Sequence, residues 1–456
     1  MRNTLLLIVG MAGVLSGCTP RLQPPQVDVP VAYRYTDRFT SDSIRLTTQW
    51  WTLFGDSTLN FLVERALQQN NDLRTAVSRI EQARANLRIA RAEYLPEVGA
   101  SLSAGATYNR ETRIVQSYAV EPTLQWEISL FGSLRHATMA ARSELAATEW
   151  ACRGVELSLA AEVATTYFTL LQYERDLLIA TRTYALRSES AALIDSMFRF
   201  GMSSGVDLEQ ARSLVYSAES DIPRYRNAVQ ETLLALNVLL GDVPQDYRGA
   251  EVGEELLTDR QPEALTVGLP SELLQRRPDI MQAYYQLQQA AAQAGVARSN
   301  RFPSLTLTAE GGIGAASLKG LTSSNPAVWS ASGSLVAPLF NFGRLRSAER
   351  VAVEAYQQAA YSYEQTLLTA FSEVEKALSQ ISSNREQIDR YGELVASYRQ
   401  IVTMAHALYR NGMVDYLDVI DAERTLYSSQ MQYVNLVAQQ YINYVSLCKA
   451  LGGGWQ

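Results

Sequence analysis

Two short stretches decide how this sequence is organised: SLFGSLR at residues 129–135 and FNFGRLR at residues 340–346. When the two are superimposed, Gly132 aligns with Gly343, an offset of 211 residues. The same offset, without a gap, aligns Gly201 with Gly412, Met202 with Met413, Asp207 with Asp418, and Leu240 with Leu451. Self-similarity at one fixed spacing over about 110 residues predicts two copies of one structural unit.

Upstream of these stretches the spacing changes. Pro96 aligns with Pro303 at an offset of 207 residues, so the second copy has four more residues between its proline and its glycine. Loops tolerate such differences best, which predicts a loop there. Proline also restricts the residue before it, so a helix is expected to end at each of these prolines.

A period of two follows each proline. In residues 98–109, VGASLSAGATYN, apolar or small residues alternate with polar ones, and residues 118–130 continue the pattern. The second copy repeats it, so strand pairs are predicted at about 98–130 and about 304–340, each with one apolar face. A soluble sandwich is one interpretation. The scarcity of Lys and Arg on the polar faces, and Trp and Tyr near strand ends, favour membrane strands.

Four strands are too few to close a membrane barrel, and lipid does not tolerate an open sheet edge. Small barrels need about eight strands. Membrane strands would therefore require oligomerisation, in which two chains supply eight strands and three chains supply twelve.

After Gly343 the period becomes helical. Every seventh residue from Ala360 is apolar up to Tyr409, and the companion seam from Tyr363 is interrupted only by Asn384. Such heptads predict a long supercoiled helix, about 100 Å at 1.5 Å per residue. The first copy has a weaker version at 133–199. Each long helix leads through a turn to a shorter return helix, 207–240 or 418–450.

The N-terminus has the features of an export signal. A positive Arg2 precedes a short apolar run, which ends in LSGC at residues 15–18. The run is too short for an ordinary transmembrane helix, so residues 1–17 are predicted to be a signal peptide. LSGC is similar to a bacterial lipobox, which predicts that Cys18 is acylated. A plain signal peptide with an incidental cysteine is the alternative. Cys152 and Cys448 are predicted not to pair with each other.

Composition excludes several functions. The net charge of −7 argues against a nucleic-acid partner, and two histidines, 270 positions apart, argue against histidine metal sites and triads. The remaining candidate for chemistry is YRNGMVDYLDVIDAER at residues 409–424. Its aspartates recur at a helical spacing of three, and only Asp418 has a counterpart in the first copy, which is Asp207. They suit helix starts better than a Ca²⁺ loop, so Asp418 and Asp207 are interpreted as capping residues. No enzyme and no cofactor are predicted.

In these motifs the chain resembles the outer membrane factors, the TolC-like channels, and in particular their lipoprotein branch in tripartite drug efflux systems. Further motifs carry the resemblance: WWTLFGD at 50–56, NNDLRTA at 70–76 and GLPSELLQRRPDI at 268–280. The resemblance implies a homotrimer with a 12-stranded outer membrane β-barrel, continued by a long α-helical barrel in the periplasm. This architecture agrees with the two repeats per chain and with a lipid anchor at Cys18 among outer membrane lipids, and no nucleic-acid partner is expected.

The resemblance and the repeat together predict the following divisions. They are a signal peptide (1–17), a lipid-anchored segment and equatorial belt (18–56), a first repeat (57–241, tip about 200–206), an equatorial connector (242–277), a second repeat (278–452, tip about 410–417) and a C-terminal tail (453–456).

The resemblance implies a function too. The chain would give substrates such as antibiotics an exit duct across periplasm and outer membrane, opened at its periplasmic tip by an adaptor (a membrane fusion protein) coupled to an inner membrane RND-type pump. A duct for type I protein secretion or for metal ions is the alternative within the channel class. A passive porin would explain the strands but not the long helices.

Two sets of residues are expected to do this work. Leu417, Asp421 and Arg424 lie at i, i+4 and i+7 on one helix face, and the resemblance assigns that pattern to the constricted periplasmic gate. The first copy has Val206, Gln210 and Ser213 there, so only one helix pair per subunit would carry the charged lock. The expected adaptor contacts at the tips are Gly201, Met202, Gly412 and Met413.

Overall fold

A computed structural model describes residues 30, 33, 48–111, 113–245, 276–323 and 327–454. Cys18, the signal peptide 1–17 and much of the segments 18–56 and 242–277 lie outside the described residues. In chain order the elements are a 3₁₀-helix (Trp50–Phe54), α1 (Ser57–Gln69), α2 (Asn71–Ala92), β1 (Glu97–Asn109), β2 (Arg113–Ile128), α3 (Ser133–Arg199), α4 (Gly205–Leu240), α5 (Pro278–Ser299), β3 (Ser304–Ala315), the short α6 (Gly320–Ser323), β4 (Ala327–Val336), α7 (Arg344–Arg410) and α8 (Tyr416–Ala450).

The chain divides into two compact units. One unit contains Val77–Ala151 and Asp279–Thr366, and the other contains the described parts of Asp28–Ala76, Cys152–Pro278 and Leu367–Gln456. The division does not follow the repeat, because each unit takes segments from both copies. The two long helices, α3 and α7, therefore contribute residues to both units.

The first unit contains a four-stranded antiparallel sheet in the order β1-β2-β3-β4. Its central pair joins the two copies, with Ile128 opposite Leu305 and Trp126 opposite Leu307. The extra residues of the second copy fall in the connection between β3 and β4, as the changed spacing predicts, whereas β1 and β2 are joined by a short turn.

One face of this sheet is apolar and exposed. Its large exposed side chains include Val98, Leu102, Tyr108, Trp329 and Leu335. Leu102 is 81% exposed and Trp329 is 82% exposed. Exposed apolar patches of this kind mark surfaces that contact lipid or another protein.

The heptad pattern of α7 is confirmed, since its apolar seam is buried. Leu367, Val374 and Ile381 are almost completely inaccessible. Asn384, the polar interruption of the companion seam, is also buried, and its amide nitrogen donates to the Leu436 carbonyl at 2.8 Å and to Gln440 Oε1 at 2.9 Å. A buried polar group is tolerated when its hydrogen bonds are made. None of the described helices combines the length and apolarity required to cross a membrane.

The repeat is visible where the return helices end. The first return helix, α4, ends at Gly241, whose missing Cβ leaves room for the Gln69 carbonyl, 2.7 Å from where that Cβ would lie. Asn70 then donates its side-chain amide to the Leu239 carbonyl at 2.9 Å. Glycine is required because φ is 72° and because a carbonyl occupies the Cβ position.

The second copy builds the same junction with different side chains. Gly452 approaches the Arg276 carbonyl, and buried Arg277 donates to the Ala450 carbonyl at 3.0 Å. Arg277 replaces Asn70 at the aligned position and also pairs with Glu373 at 2.7 Å. Arg276 and Arg277 thus anchor the end of α8 in this unit.

Cys152 and Cys448 are buried free thiols. Burial raises the pKa of both thiols, so both stay protonated at neutral pH and behave as small apolar residues.

Candidate functional site

The turn between α3 and α4 is closed by the backbone. The amide of Gly201 donates to the Phe198 carbonyl at 2.9 Å, and that of Met202 donates to the Met197 carbonyl at 2.8 Å. These two bonds form a Schellman motif, which needs a left-handed residue, and Gly201 supplies it with φ of 74°. Met202 follows with its side chain 65% exposed.

The turn between α7 and α8 uses the same motif. Gly412, with φ of 69°, donates to the Tyr409 carbonyl at 2.9 Å, and Met413 donates to the Leu408 carbonyl at 3.0 Å. Met413 is 70% exposed. Each turn therefore presents a methionine beside a glycine, and no atom lies within 4 Å of the place where a Cβ on either glycine would stand.

The helices that leave the turns start differently. At α4, the Ser204 hydroxyl accepts from the Asp207 amide, and the Asp207 carboxylate accepts from the Ser204 amide, both at 3.1 Å. This capping box confirms the interpretation of Asp207 as a capping residue. At α8, the N-cap residue Asp415 makes no side-chain capping bond, and Asp418 lies in the first turn. Asp418 there faces the positive end of the helix dipole, but it is not the N-cap.

An apolar core lies behind both turns and draws on four helices. It contains Ile194 of α3, Leu208 and Leu214 of α4, Ala405 of α7, and Tyr416, Val419 and Ile420 of α8. Because Tyr416, Val419 and Ile420 face this core, the first turns of α8 have one buried side. Helical geometry then places the residues between them on the other side of the helix, away from the core.

Leu417, Asp421 and Arg424 occupy the opposite, exposed side of α8. Leu417 is 53% exposed, and the other two are also exposed. Within the part of the chain that the structure describes, the side chains of Asp421 and Arg424 make no ion pair. The three residues share one face, as their spacing predicts; their role as a gate stays a prediction.

The acidic residues of 409–424 do not form a metal site. Among the described residues, no group of His, Cys, Asp or Glu could hold a metal ion. Glu423, which the sequence interpretation left without a role, points away from the exposed face. Its carboxylate contacts His406 of α7 at 2.9 Å and lies 3.7 Å from Arg187 of α3. The aligned positions in the first copy, Asp195 and Arg212, also form an ion pair, so the repeat register could have pointed to Glu423.

A groove lies beside the turns in the same unit. Its volume is about 1900 Å³, and α3, α7 and α8 supply its walls. Met202 and Met197 line the end nearest the first turn, and Arg410 lines it near the second. The groove therefore begins beside both turns, at Met197 and Met202 around Gly201 and at Arg410 before Gly412.

The chain matches the family model described as "Outer membrane efflux protein" over residues 62–242 and 269–453. It is 32% identical to the cation efflux system protein CusC of Escherichia coli O157:H7, over 99% of each chain. It is 33% identical to the solvent efflux pump outer membrane protein SrpC of Pseudomonas putida, covering 99% of this chain and 97% of SrpC.

The probable outer membrane lipoprotein SilC of Salmonella typhimurium is 32% identical, covering 99% of this chain and 98% of SilC. Among solved structures, the open state of the Neisseria gonorrhoeae MtrE outer membrane channel superimposes with a TM-score of 0.84 at 29% identity, covering 96% of this chain and 98% of MtrE. These similarities confirm the predicted TolC-like fold class. They also confirm an outer membrane location and a channel rather than an enzyme.

Proposed function

The chain belongs to the outer membrane efflux protein family and is an outer membrane channel of an efflux system, and we propose that it works as a homotrimer whose periplasmic gate is formed by Leu417, Asp421 and Arg424. The proposal rests chiefly on one observation. Those three residues form an exposed face on the first turns of α8, and α4 has no charged counterpart of it. Relatives named for cations and for solvents match equally well, so the comparisons do not favour the alternative of a metal or protein duct.

Trimer formation is supported by the sheet. β1 and β4 each have one neighbour among the described strands, and open edges are not tolerated in lipid. Three chains would supply twelve strands, and the exposed apolar residues of the sheet would face the lipid. Cys18 acylation would add a lipid anchor, and the lipoprotein name of SilC supports that part of the proposal.

In the trimer, three Leu417 side chains would meet as an apolar constriction. Asp421 and Arg424, which lack ion-pair partners among this chain's described residues, would pair with a neighbouring subunit. A partly exposed ion pair contributes about 0.2–1 kcal/mol. Three such pairs would bias the channel towards its closed state, yet a docking partner could overcome them.

The docking partner would be a periplasmic adaptor coupled to an inner membrane RND-type pump. The two turns suit it because Gly201 and Gly412 leave the backbone open to close approach, and Met202 and Met413 offer adaptable apolar contacts. The groove that begins at Met202 would lengthen this surface along α3 and α7.

The gate is tested by Leu417→Ala combined with Asp421→Ala in a planar bilayer. We expect higher single-channel conductance, and in cells entry of normally excluded antibiotics, with trimer stability kept. The control is Val206→Ala with Gln210→Ala, which changes the aligned positions of the first repeat and should leave conductance unchanged. Wild-type conductance in the first variant would place the gate elsewhere.

Docking is tested by replacing Gly201 and Gly412 with Arg. Efflux should be lost while the trimer still assembles in the outer membrane, because the long side chains would block close approach. The matched control replaces both with Asn, which tolerates the left-handed conformation and keeps the turn. Efflux by the Arg variant at the wild-type level would contradict docking at the turns.

The lipid anchor is tested by Cys18→Ala. The variant should still form trimers but no longer incorporate labelled palmitate. Persistent labelling would contradict acylation at Cys18.

A further inference from the structure

A buried ion pair lies behind the proposed gate face. Arg187 of α3 is 4% exposed, and Glu423 of α8 is 13% exposed as a side chain. Arg187 Nε and Glu423 Oε2 are 3.7 Å apart, too far for a hydrogen bond, and both atoms are buried without any hydrogen-bond partner. The pair is held by charge alone across this gap.

Arg187 and Glu423 each make further contacts with other residues. Arg187 Nη1 donates to the Leu214 carbonyl of α4 at 3.3 Å, and its guanidinium lies 5.3 Å from the centre of the Tyr427 ring. Glu423 Oε1 is 2.9 Å from His406 Nε2 of α7. Residues from α3, α4, α7 and α8 thus meet in one cluster, and the link from Arg187 to Glu423 joins the first repeat to the second.

The first repeat shows what is special about this link. At the positions aligned with His406 and Glu423 it has Asp195 and Arg212, which form an ion pair at 3.5 Å near the surface. In each repeat, a contact between two polar side chains therefore joins the long helix to the return helix next to the turn. The pair of the second repeat is also joined by a buried charge from the first repeat, Arg187 of α3. The position of α7 aligned with Arg187 carries the uncharged Tyr398, so the second repeat offers no such charge in return.

Breaking a buried pair by removing one partner is more costly than removing both, because the remaining charge is left uncompensated. Glu423 lies on the same two turns of α8 as Leu417, Asp421 and Arg424, but on the buried side. A change in the position of Glu423 would therefore rotate or displace the exposed face.

We propose that Arg187 and Glu423 are positioning residues that hold the first turns of α8 against the first repeat, so that the gate face keeps its orientation. This inference rests on the proposed function for its link to gating. The positioning itself is a property of the helices and can be measured without reference to the gate.

The test measures amide hydrogen exchange of residues 416–424 in the purified full-length channel. Glu423→Gln keeps the side chain's size and its ability to bond His406, but it leaves Arg187 buried without its counter-charge. We expect exchange at 416–424 to accelerate about tenfold or more in Glu423→Gln and in Arg187→Met. The double variant Arg187→Met/Glu423→Gln leaves no unpaired buried charge and should return most of the way to wild-type exchange.

The matched control is Arg212→Gln, which removes the aligned residue of the first repeat and should leave exchange at 416–424 unchanged. Wild-type exchange in both single variants would overturn the inference. A double variant that exchanges as fast as the singles would also overturn it, because a role in packing alone predicts no rescue.

Conductance of the same variants separates this inference from the gate. Accelerated exchange with higher conductance supports both. Accelerated exchange with rescue, but unchanged conductance, supports the positioning role and counts against Leu417, Asp421 and Arg424 as the gate.

Discussion

The turn after α3 and the turn after α7 close with the same two backbone hydrogen bonds, but the helices that leave them are secured in different ways. α4 starts with a complete capping box made by neighbours in sequence, Ser204 and Asp207. α8 starts at Asp415 without a side-chain cap. Beyond the apolar core, which both helices share, it relies on a distant contact, the pair of Arg187 with Glu423. A helix start held by local bonds is stable by itself. A helix start that is held by long-range contacts can be released when those contacts change. Such a start suits α8, because α8 carries the proposed gate face.

The junctions at the far ends of the return helices should be the most sensitive points of both repeats. Gly241→Ala and Gly452→Ala would each place a Cβ less than 3 Å from a backbone carbonyl at a left-handed φ. We expect each to lower the free energy of unfolding by on the order of 3 kcal/mol. Thermal unfolding of the purified channel would measure it.

The glycines of the two turns provide the control for that prediction. Gly201→Ala and Gly412→Ala meet the same unfavourable φ, but nothing lies within 4 Å of the added carbon. Their cost should be about 1 kcal/mol. Equal losses at all four positions would show that φ alone, and not the close carbonyl, makes the junctions sensitive.

A second difference between the repeats concerns pH. Asp176 of α3 is 4% exposed, and one of its carboxylate oxygens has no hydrogen-bond partner, whereas the aligned Gln387 is exposed and uncharged. Burial raises the pKa of the Asp176 carboxyl to about 7, against the opposing effects of Gln172 and Arg224. The folded protein therefore holds this proton at pH values where the unfolded chain has released it.

The stabilisation from Asp176 is complete below the carboxyl's ordinary pKa and is lost as pH rises through about 7. Between pH 6 and pH 8, wild-type stability should fall by roughly 1 kcal/mol from this group. Asp176→Asn should remove most of that change, and Gln387→Glu, at the exposed aligned site, should add none. Denaturant titrations at the two pH values would measure both. An unchanged slope in Asp176→Asn would mean that another group causes the pH dependence.

The smallest expected effect tests the comparison of the helix starts directly. Ser204→Ala removes the capping box of α4 and should cost about 1 kcal/mol. Asp415→Ala, at the N-cap of α8, should cost only a few tenths of that, because its side chain makes no capping bond. Hydrogen exchange in the first turn of each helix would report the two costs separately. A similar loss at both sites would remove the distinction between a locally held and a remotely held helix start.

Much of the fold and of the candidate site could be predicted from particular residues in the sequence. The offset between Gly132 and Gly343 indicates two copies, and alternation in 98–109 indicates strands. Heptads from Ala360 indicate a long helix, and its buried seam agrees with that interpretation. Leu417, Asp421 and Arg424 fall on one face because their spacing alone determines it, whereas the exposure of that face depends on how α8 packs. Asp207 was correctly interpreted as a capping residue, whereas the N-cap of α8 proved to be Asp415 rather than Asp418.

Contacts between the copies could not be predicted in this way. The offset aligns equivalent positions, but it does not say which residue of one copy packs on the other. Arg187 meeting Glu423, and Ile128 lying opposite Leu305, both depend on how helices and strands of different copies pair.

The sequence by itself determined the period of each element, the repeat, the turns that require glycine and the family. These features follow from local geometry and from the resemblance of contiguous motifs. Only the tertiary structure decided that both copies contribute to each of two compact units, that Asp176 is buried while Gln387 is exposed, and that Glu423 faces a buried arginine. Burial and charge pairing arise between residues far apart in the chain, so their energies exist only once the helices have packed.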